Sequence, residues 1–77
     1  MHTSKVEQLK RRTDRLFHKY KDEYNLSSSQ STGKVLYELR NIFEESVLCE
    51  LIVYEHLIAL NHEDDEIIQY LKDARRK

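Results

Sequence analysis

The sequence contains no proline and no tryptophan, and Gly33 is its only glycine. Sheet-rich folds of this length need glycine, proline or similar turn residues about every 8–12 positions. Their near-absence excludes a β-sandwich or β-barrel. The composition therefore predicts an all-α protein, and its 77 residues are enough for one small helical bundle rather than several domains.

Cysteine is equally scarce, because Cys49 is the only one in the chain. It cannot form an internal disulfide, and no cysteine–histidine cluster has the spacing of a structural zinc site. Together with the lack of a signal-peptide pattern, the lone thiol predicts a cytoplasmic protein. The apolar and acidic neighbours of Cys49 favour a buried, unreactive side chain.

An excess of charge of one sign is also lacking, since the formal net charge is −1 although 35% of the residues are charged. Such a balance creates no overall field for nucleic acid or for a membrane surface. The longest apolar stretch, residues 47–60, is interrupted by Glu50, Glu55 and His56. It is too short and too polar to cross a bilayer, so no membrane partner is expected.

Over residues 4–24, apolar side chains recur at steps of three and four, as they do on the buried face of an amphipathic helix. Thr3 or Ser4 can cap the start of this helix, and Glu7 follows Ser4 at the capping-box distance. We therefore predict a first helix over residues 4–24. Its apolar stripe consists of Val6, Leu9, Thr13, Leu16, Phe17, Tyr20 and Tyr24.

Residues 25–32 are rich in serine and asparagine, whose side chains compete with helical hydrogen bonds. We predict that they form a mobile linker. A second helical pattern follows from about residue 32 to residue 60. At 1.5 Å per residue, an uninterrupted helix over this range would extend for roughly 40 Å and would form the centre of a three-helix bundle.

An alternating three- and four-residue spacing runs along this predicted central helix, as at the a and d positions of a coiled coil. A second stripe (Val47, Leu51, Tyr54 and Ile58) lies beside it, which leaves residues 47–60 apolar on more than one side. Two short helices cannot cover all of this surface, so we predict a homodimer. A three-helix monomer is the alternative. The seam for self-association or for another partner consists of Leu36, Leu39, Phe43, Ser46, Glu50, Val53, Leu57 and Leu60.

A third helix is predicted over residues 62–76, with Asn61 as its N-cap. Acidic residues follow at its start and basic residues lie near its end, as the helix macrodipole favours. The alternative is that Asn61 interrupts nothing and the long helix continues to the end of the chain.

Glu50 lies in the middle of the predicted seam, where an ionised carboxylate is unfavourable unless it is paired. One interpretation is a buried polar layer of Thr13, Ser46 and Glu50, neutralised by Arg12, by Arg40 or by a second subunit. Such a layer would fix the register of the helices. The other interpretation is a rotated helix that lets Glu50 reach solvent.

A basic cluster lies largely opposite the apolar stripe of the first helix, and clusters of this kind can bind phosphates or an acidic partner. Asp14 and Asp22 share that face, and no helix-turn-helix pattern accompanies it. A solvated helix face is therefore the preferred interpretation. The cluster consists of Lys10, Arg11, Arg12, Arg15 and Lys19.

The sequence shows neither a glycine-rich phosphate loop nor a helical metal motif, and His56 and His62 are six residues apart. We therefore expect no catalytic residues, no cofactor and no metal. The preferred function is a small regulatory or adaptor protein that binds itself and another protein, as inhibitors, antitoxins and anti-factors do. The alternatives are a nucleic-acid-binding regulator that uses the basic first helix, and an assembly subunit with an obligate partner.

Overall fold

A computed structural model of the chain describes residues 4–75. These residues form α-helices and no strand, which confirms the all-α fold class. The helices number four rather than the three predicted, and a π-helical turn, Lys19–Glu23, follows the first of them. The helices are α1 (Lys5–His18), α2 (Ser28–Glu45), α3 (Val47–Leu60) and α4 (Asp65–Ala74).

Helix α1 begins as the sequence indicates, because the Ser4 hydroxyl accepts a hydrogen bond from the Glu7 amide at 3.1 Å. Thr3, the other candidate cap, lies outside the described residues. The predicted first helix is regular only as far as His18, and the π-helical turn completes it. The turn ends where Asn25 adopts a left-handed conformation, with φ of 55°, and the Leu26 amide donates to the Tyr20 carbonyl.

The predicted linker, residues 25–32, is wrong in its second half. Ser27 and Gln30 form a capping box, in which each side chain accepts a hydrogen bond from the backbone amide of the other. This cap starts α2 at Ser28, four residues before the predicted beginning. Ser31 and Thr32 are buried, so this part of the serine-rich stretch is a packed helical turn.

The predicted helix over residues 32–60 is also wrong, because Ser46 divides it. Ser46 has an extended backbone, with φ of −153° and ψ of 114°. Its amide still donates to the Ile42 carbonyl at the end of α2, while its hydroxyl accepts from the Cys49 amide at 3.3 Å and caps α3. One residue therefore ends one helix and starts the next, and no continuous coiled-coil seam exists.

The helical conformation ends again after Leu60. The sequence predicted Asn61 as the N-cap of the last helix, but it does not cap α4. Asn61 is the C-cap of α3, and its buried side-chain amide donates to the Leu57 carbonyl at 2.8 Å and to the Thr32 hydroxyl at 3.0 Å. The N-cap of α4 is Asp64, whose carboxylate accepts from the Ile67 amide. The predicted end of the last helix at Arg76 lies outside the described residues.

The core lies where the four helices meet, and three of them contribute a pair of side chains one turn apart. Each such side chain stabilises the fold by about 1.5–3 kcal/mol when it is removed from water. Helix α1 adds Phe17, and Thr13 packs beside it with its hydroxyl bonded to the Leu9 carbonyl. The three pairs are Val35 and Leu39, Val53 and Leu57, and Ile67 and Leu71.

The cap at Ser46 leads to a first prediction. Ser46→Ala removes the hydroxyl that accepts from the Cys49 amide, and loss of an N-cap destabilises a protein by about 0.5–2 kcal/mol. Ser46→Asp keeps an acceptor at the same position and should unfold close to the wild type in urea. Equal unfolding free energies for the alanine variant and the wild type would contradict this role of Ser46.

Candidate interaction surfaces

The structure places most of the predicted seam inside one chain. Leu39, Val53 and Leu57 are fully buried in the core, so a second chain cannot reach them in this conformation. The other members are partly buried, and several of them pack against the same core. These partly buried residues are Leu36, Phe43, Ser46, Glu50 and Leu60.

The predicted polar layer of Thr13, Ser46 and Glu50 does not form. The first two side chains bond to nearby backbone groups instead, as described above. Within residues 4–75, no cation lies at ion-pairing distance from Glu50, and Arg40 packs over the ring of Tyr37 at 4.0 Å. Glu50 is half-buried in the first turn of α3, so its carboxylate is neither enclosed in a polar layer nor fully exposed.

Three apolar side chains on the first turns of α3 are exposed to solvent. The exposed fractions are 70% for Val47, 65% for Leu48 and 38% for Leu51. The rings of Phe43 and Tyr54 pack edge to face at 5.9 Å beside them. We call these five residues the junction surface, because they lie where α2 passes into α3.

Opposite charges border the junction surface. Glu44 and Glu45 are exposed at the end of α2. On the side facing α1, Lys5 and Arg12 share a shallow groove of about 270 Å³ with Cys49. Cys49 is half-buried rather than buried as the sequence suggested, so the one thiol of the chain lies next to the exposed Leu48.

The predicted basic face does not form one surface. Successive residues of a helix point about 100° apart, so Arg12 turns toward Cys49 while its neighbours turn away. The Lys19 ammonium lies within 6 Å of the centres of the Tyr20 and Tyr24 rings. Only Lys10, Arg11 and Arg15 remain together.

These three cations line a groove of about 520 Å³ between α1 and α3, which we call the α1–α3 groove. Glu7, Asp14 and His18 of α1 complete its wall, and His56 reaches into it from α3. The Asp14 carboxylate lies 3.4 Å from the His56 Nε2 atom and 3.8 Å from that of His18. Sequence reasoning missed this cluster, since Asp14 and His56 are 42 positions apart.

Two tyrosines occupy environments that stabilise their neutral form. The Tyr20 hydroxyl donates to the Glu38 carboxylate, and this hydrogen bond, with burial and the charge of Glu38, raises the pKa of Tyr20 to about 12. Burial, followed by the charges of Glu50 and Tyr70, raises the pKa of Tyr54. The hydrogen bond between Tyr20 and Glu38 links the π-helical turn to α2.

Within residues 4–75, no three histidine, cysteine, aspartate or glutamate side chains are grouped so that they could hold a metal ion. None of the helices described there combines the length and the apolar character needed to span a membrane. Comparison of the chain with protein-family models, curated proteins and solved structures finds no match. The geometry of the surfaces is therefore the basis for a functional proposal.

The Tyr20–Glu38 contact predicts how stability changes at alkaline pH. Because the pKa of Tyr20 is higher in the folded chain than the usual value near 10, its contribution is complete below pH 10. It is lost as the pH rises from 10 to 12. Urea unfolding should therefore show a steeper loss of stability over that range in the wild type than in Tyr20→Phe.

A matched control is Tyr37→Phe, which removes an exposed tyrosine hydroxyl and should keep the steep loss. Glu38→Gln should bring the titration of Tyr20 closer to pH 10, as measured by absorbance at 295 nm. An unchanged titration in Glu38→Gln would show that the Glu38 carboxylate does not set the pKa of Tyr20.

Proposed function

We propose that this protein is a non-catalytic adaptor that acts by binding protein chains through its junction surface, and that a second copy of itself is the first such chain. The observation that supports this proposal is the exposure of Val47, Leu48 and Leu51 side by side on α3. Scattered apolar residues are normal on a protein surface, whereas neighbouring ones mark a binding site.

The position of this surface supports an interface rather than an unfinished core. The core pairs of α2, α3 and α4 are already buried within one chain. Val47, Leu48 and Leu51 lie outside this core and remain exposed in the single chain, while Phe43 packs against the core. A chain this small has a limited core of its own, and association adds stability that it lacks.

The charges at the border favour a second copy as the occupant. In a two-fold contact centred on Leu48, the same surface meets itself in the opposite direction. In this contact we expect Lys5 and Arg12 of one chain to pair with Glu44 and Glu45 of its partner, and the reverse pairing to repeat the contact. Each copy therefore supplies both signs of charge around an apolar centre, as specific interfaces do.

A different protein could occupy the same surface, and the inhibitor, antitoxin and assembly-subunit alternatives all require this. Glu44 and Glu45 are exposed beside the surface and would repel phosphates, which counts against nucleic acid as the occupant. The nucleic-acid alternative is weakened further by the dispersal of the basic residues of α1, which leaves no long cationic track.

The proposal predicts that sedimentation equilibrium at micromolar concentration gives about twice the chain mass of 9.3 kDa. Leu48→Glu should give the monomer mass, because it places a charge at the centre of the apolar contact. Leu48 is exposed in the single chain, so the circular dichroism spectrum should not change. Bismaleimide cross-linking through Cys49, which neighbours Leu48, should join two wild-type chains and not two chains of the variant.

Tyr37→Glu is the matched control. Tyr37 is 63% exposed on α2, so this substitution introduces the same charge at a position away from the junction surface. It should remain dimeric. Exchanging Glu44 and Glu45 for lysine should weaken the dimer, and adding Lys5→Glu and Arg12→Glu should restore it. A wild type that stays monomeric at several hundred micromolar would exclude self-association and leave a different protein as the occupant.

A further inference from the structure

The α1–α3 groove holds three cations that form no ion pair within the described residues. Within residues 4–75, no carboxylate lies at ion-pairing distance from Lys10, Arg11 or Arg15. This is notable because Glu7 and Asp14 line the same groove. The Asp14 carboxylate is directed to the imidazoles of His56 and His18 instead, at 3.4 Å and 3.8 Å.

We propose that the α1–α3 groove binds a single phosphoryl group carried by a phosphorylated side chain of a partner protein. The three unpaired cations supply the charge and the donors, because guanidinium groups bind phosphate oxygens through paired hydrogen bonds. His18 and His56 lie at the wall of the groove with their Nε2 atoms toward the Asp14 carboxylate, so that carboxylate has partners other than the three cations. This site shares no residue with the junction surface.

The dimensions of the cationic group favour one phosphoryl group over a nucleic-acid backbone. From Lys10 to Arg15 the helix rises by only about 7.5 Å, and the next cations along the chain are directed elsewhere. Arg12 lines the separate, shallower groove that contains Cys49, and Lys19 lies near the rings of Tyr20 and Tyr24. A nucleic-acid strand presents a series of phosphates and needs cations over a longer track.

The α1–α3 groove carries an excess of positive charge although carboxylates also line it. Its lining has the three cations together with Glu7 and Asp14. The Asp14 carboxylate opposes an incoming anion, so the cations must outweigh it.

Charged residues close to the two histidines have other partners. The Asp22 carboxylate of the π-helical turn lies 4.0 Å from His18, and Lys21 of the same turn is directed toward the ring of Phe17. Next to His56, Glu55 is paired with Arg75, the C-cap residue of α4.

The test uses the whole chain and three probes at constant ionic strength. Sulfate has the shape of a phosphoryl group and carries two negative charges, so it tests the geometry and the charge of the site. Phenyl phosphate tests the monoester itself, and a phosphoserine peptide tests the proposed source. Amide chemical shifts in ¹H–¹⁵N spectra locate the binding site.

We expect saturable shifts confined to residues 7–18 and the region of His56. Phenyl phosphate and the phosphoserine peptide should shift the same amides as sulfate does. Arg11→Gln combined with Arg15→Gln should abolish these shifts. Asp14→Asn should strengthen binding, because it removes a carboxylate from the lining of the groove.

Arg40→Gln is the matched control, because Arg40 is an exposed arginine that packs over Tyr37 on α2; it should bind as the wild type does. Leu48→Glu should also retain sulfate binding, which separates this proposal from the dimer. Shifts that do not saturate, or that persist in the double arginine variant, would overturn the proposal. Tight binding of duplex DNA without binding of phenyl phosphate would also overturn it.

Discussion

The packing of this protein depends on Ser46, the one residue between α2 and α3 that leaves the helical conformation. If the helix continued straight through this position, Leu39 and Val53 would lie far from each other along the helix axis. The extended backbone of Ser46 lets α2 fold against α3, so both residues enter the same core. The change of direction also leaves Val47 and Leu48 outside that core. Thus one helix cap determines both the interior and the most apolar part of the surface.

The all-α class followed from the sequence because it rests on composition and on a repeated spacing that no single residue can overturn. The start of α1 could be predicted for a similar reason, since Ser4 and Glu7 form a local capping pattern. Cap residues inside an apolar run are harder to recognise. Serine at position 46 suits an N-cap and equally suits a polar position within a seam, and only the tertiary contacts of α3 decide between the two.

The burial of Ser31 and Thr32 is a second feature that the residue types alone could not predict. Their residue types favour a linker, and local hydrogen-bonding preferences alone would keep them out of a helix. The capping box between Ser27 and Gln30 starts α2 early, and the side chain of Asn61 then meets Thr32 in the interior. A contact between residues 29 positions apart is a property of the fold. Sequence spacing could indicate the cap but not the partner of Thr32.

Neither interaction surface could be assembled from neighbouring residues in the sequence. In the sequence, the basic residues at positions 10–12 suggest one patch. Successive residues of a helix are rotated by about 100°, so Arg12 lies on one side of the contact between α1 and α3 and Arg11 lies on the other. The groove that keeps Lys10 and Arg11 becomes distinctive only when α3 adds His56. The Asp14 carboxylate then lies 3.4 Å from an imidazole of a second helix, while Lys10, Arg11 and Arg15 form no ion pair within residues 4–75. The surroundings of Asp14 thus depend on how α3 crosses α1, and no spacing within α1 could indicate them.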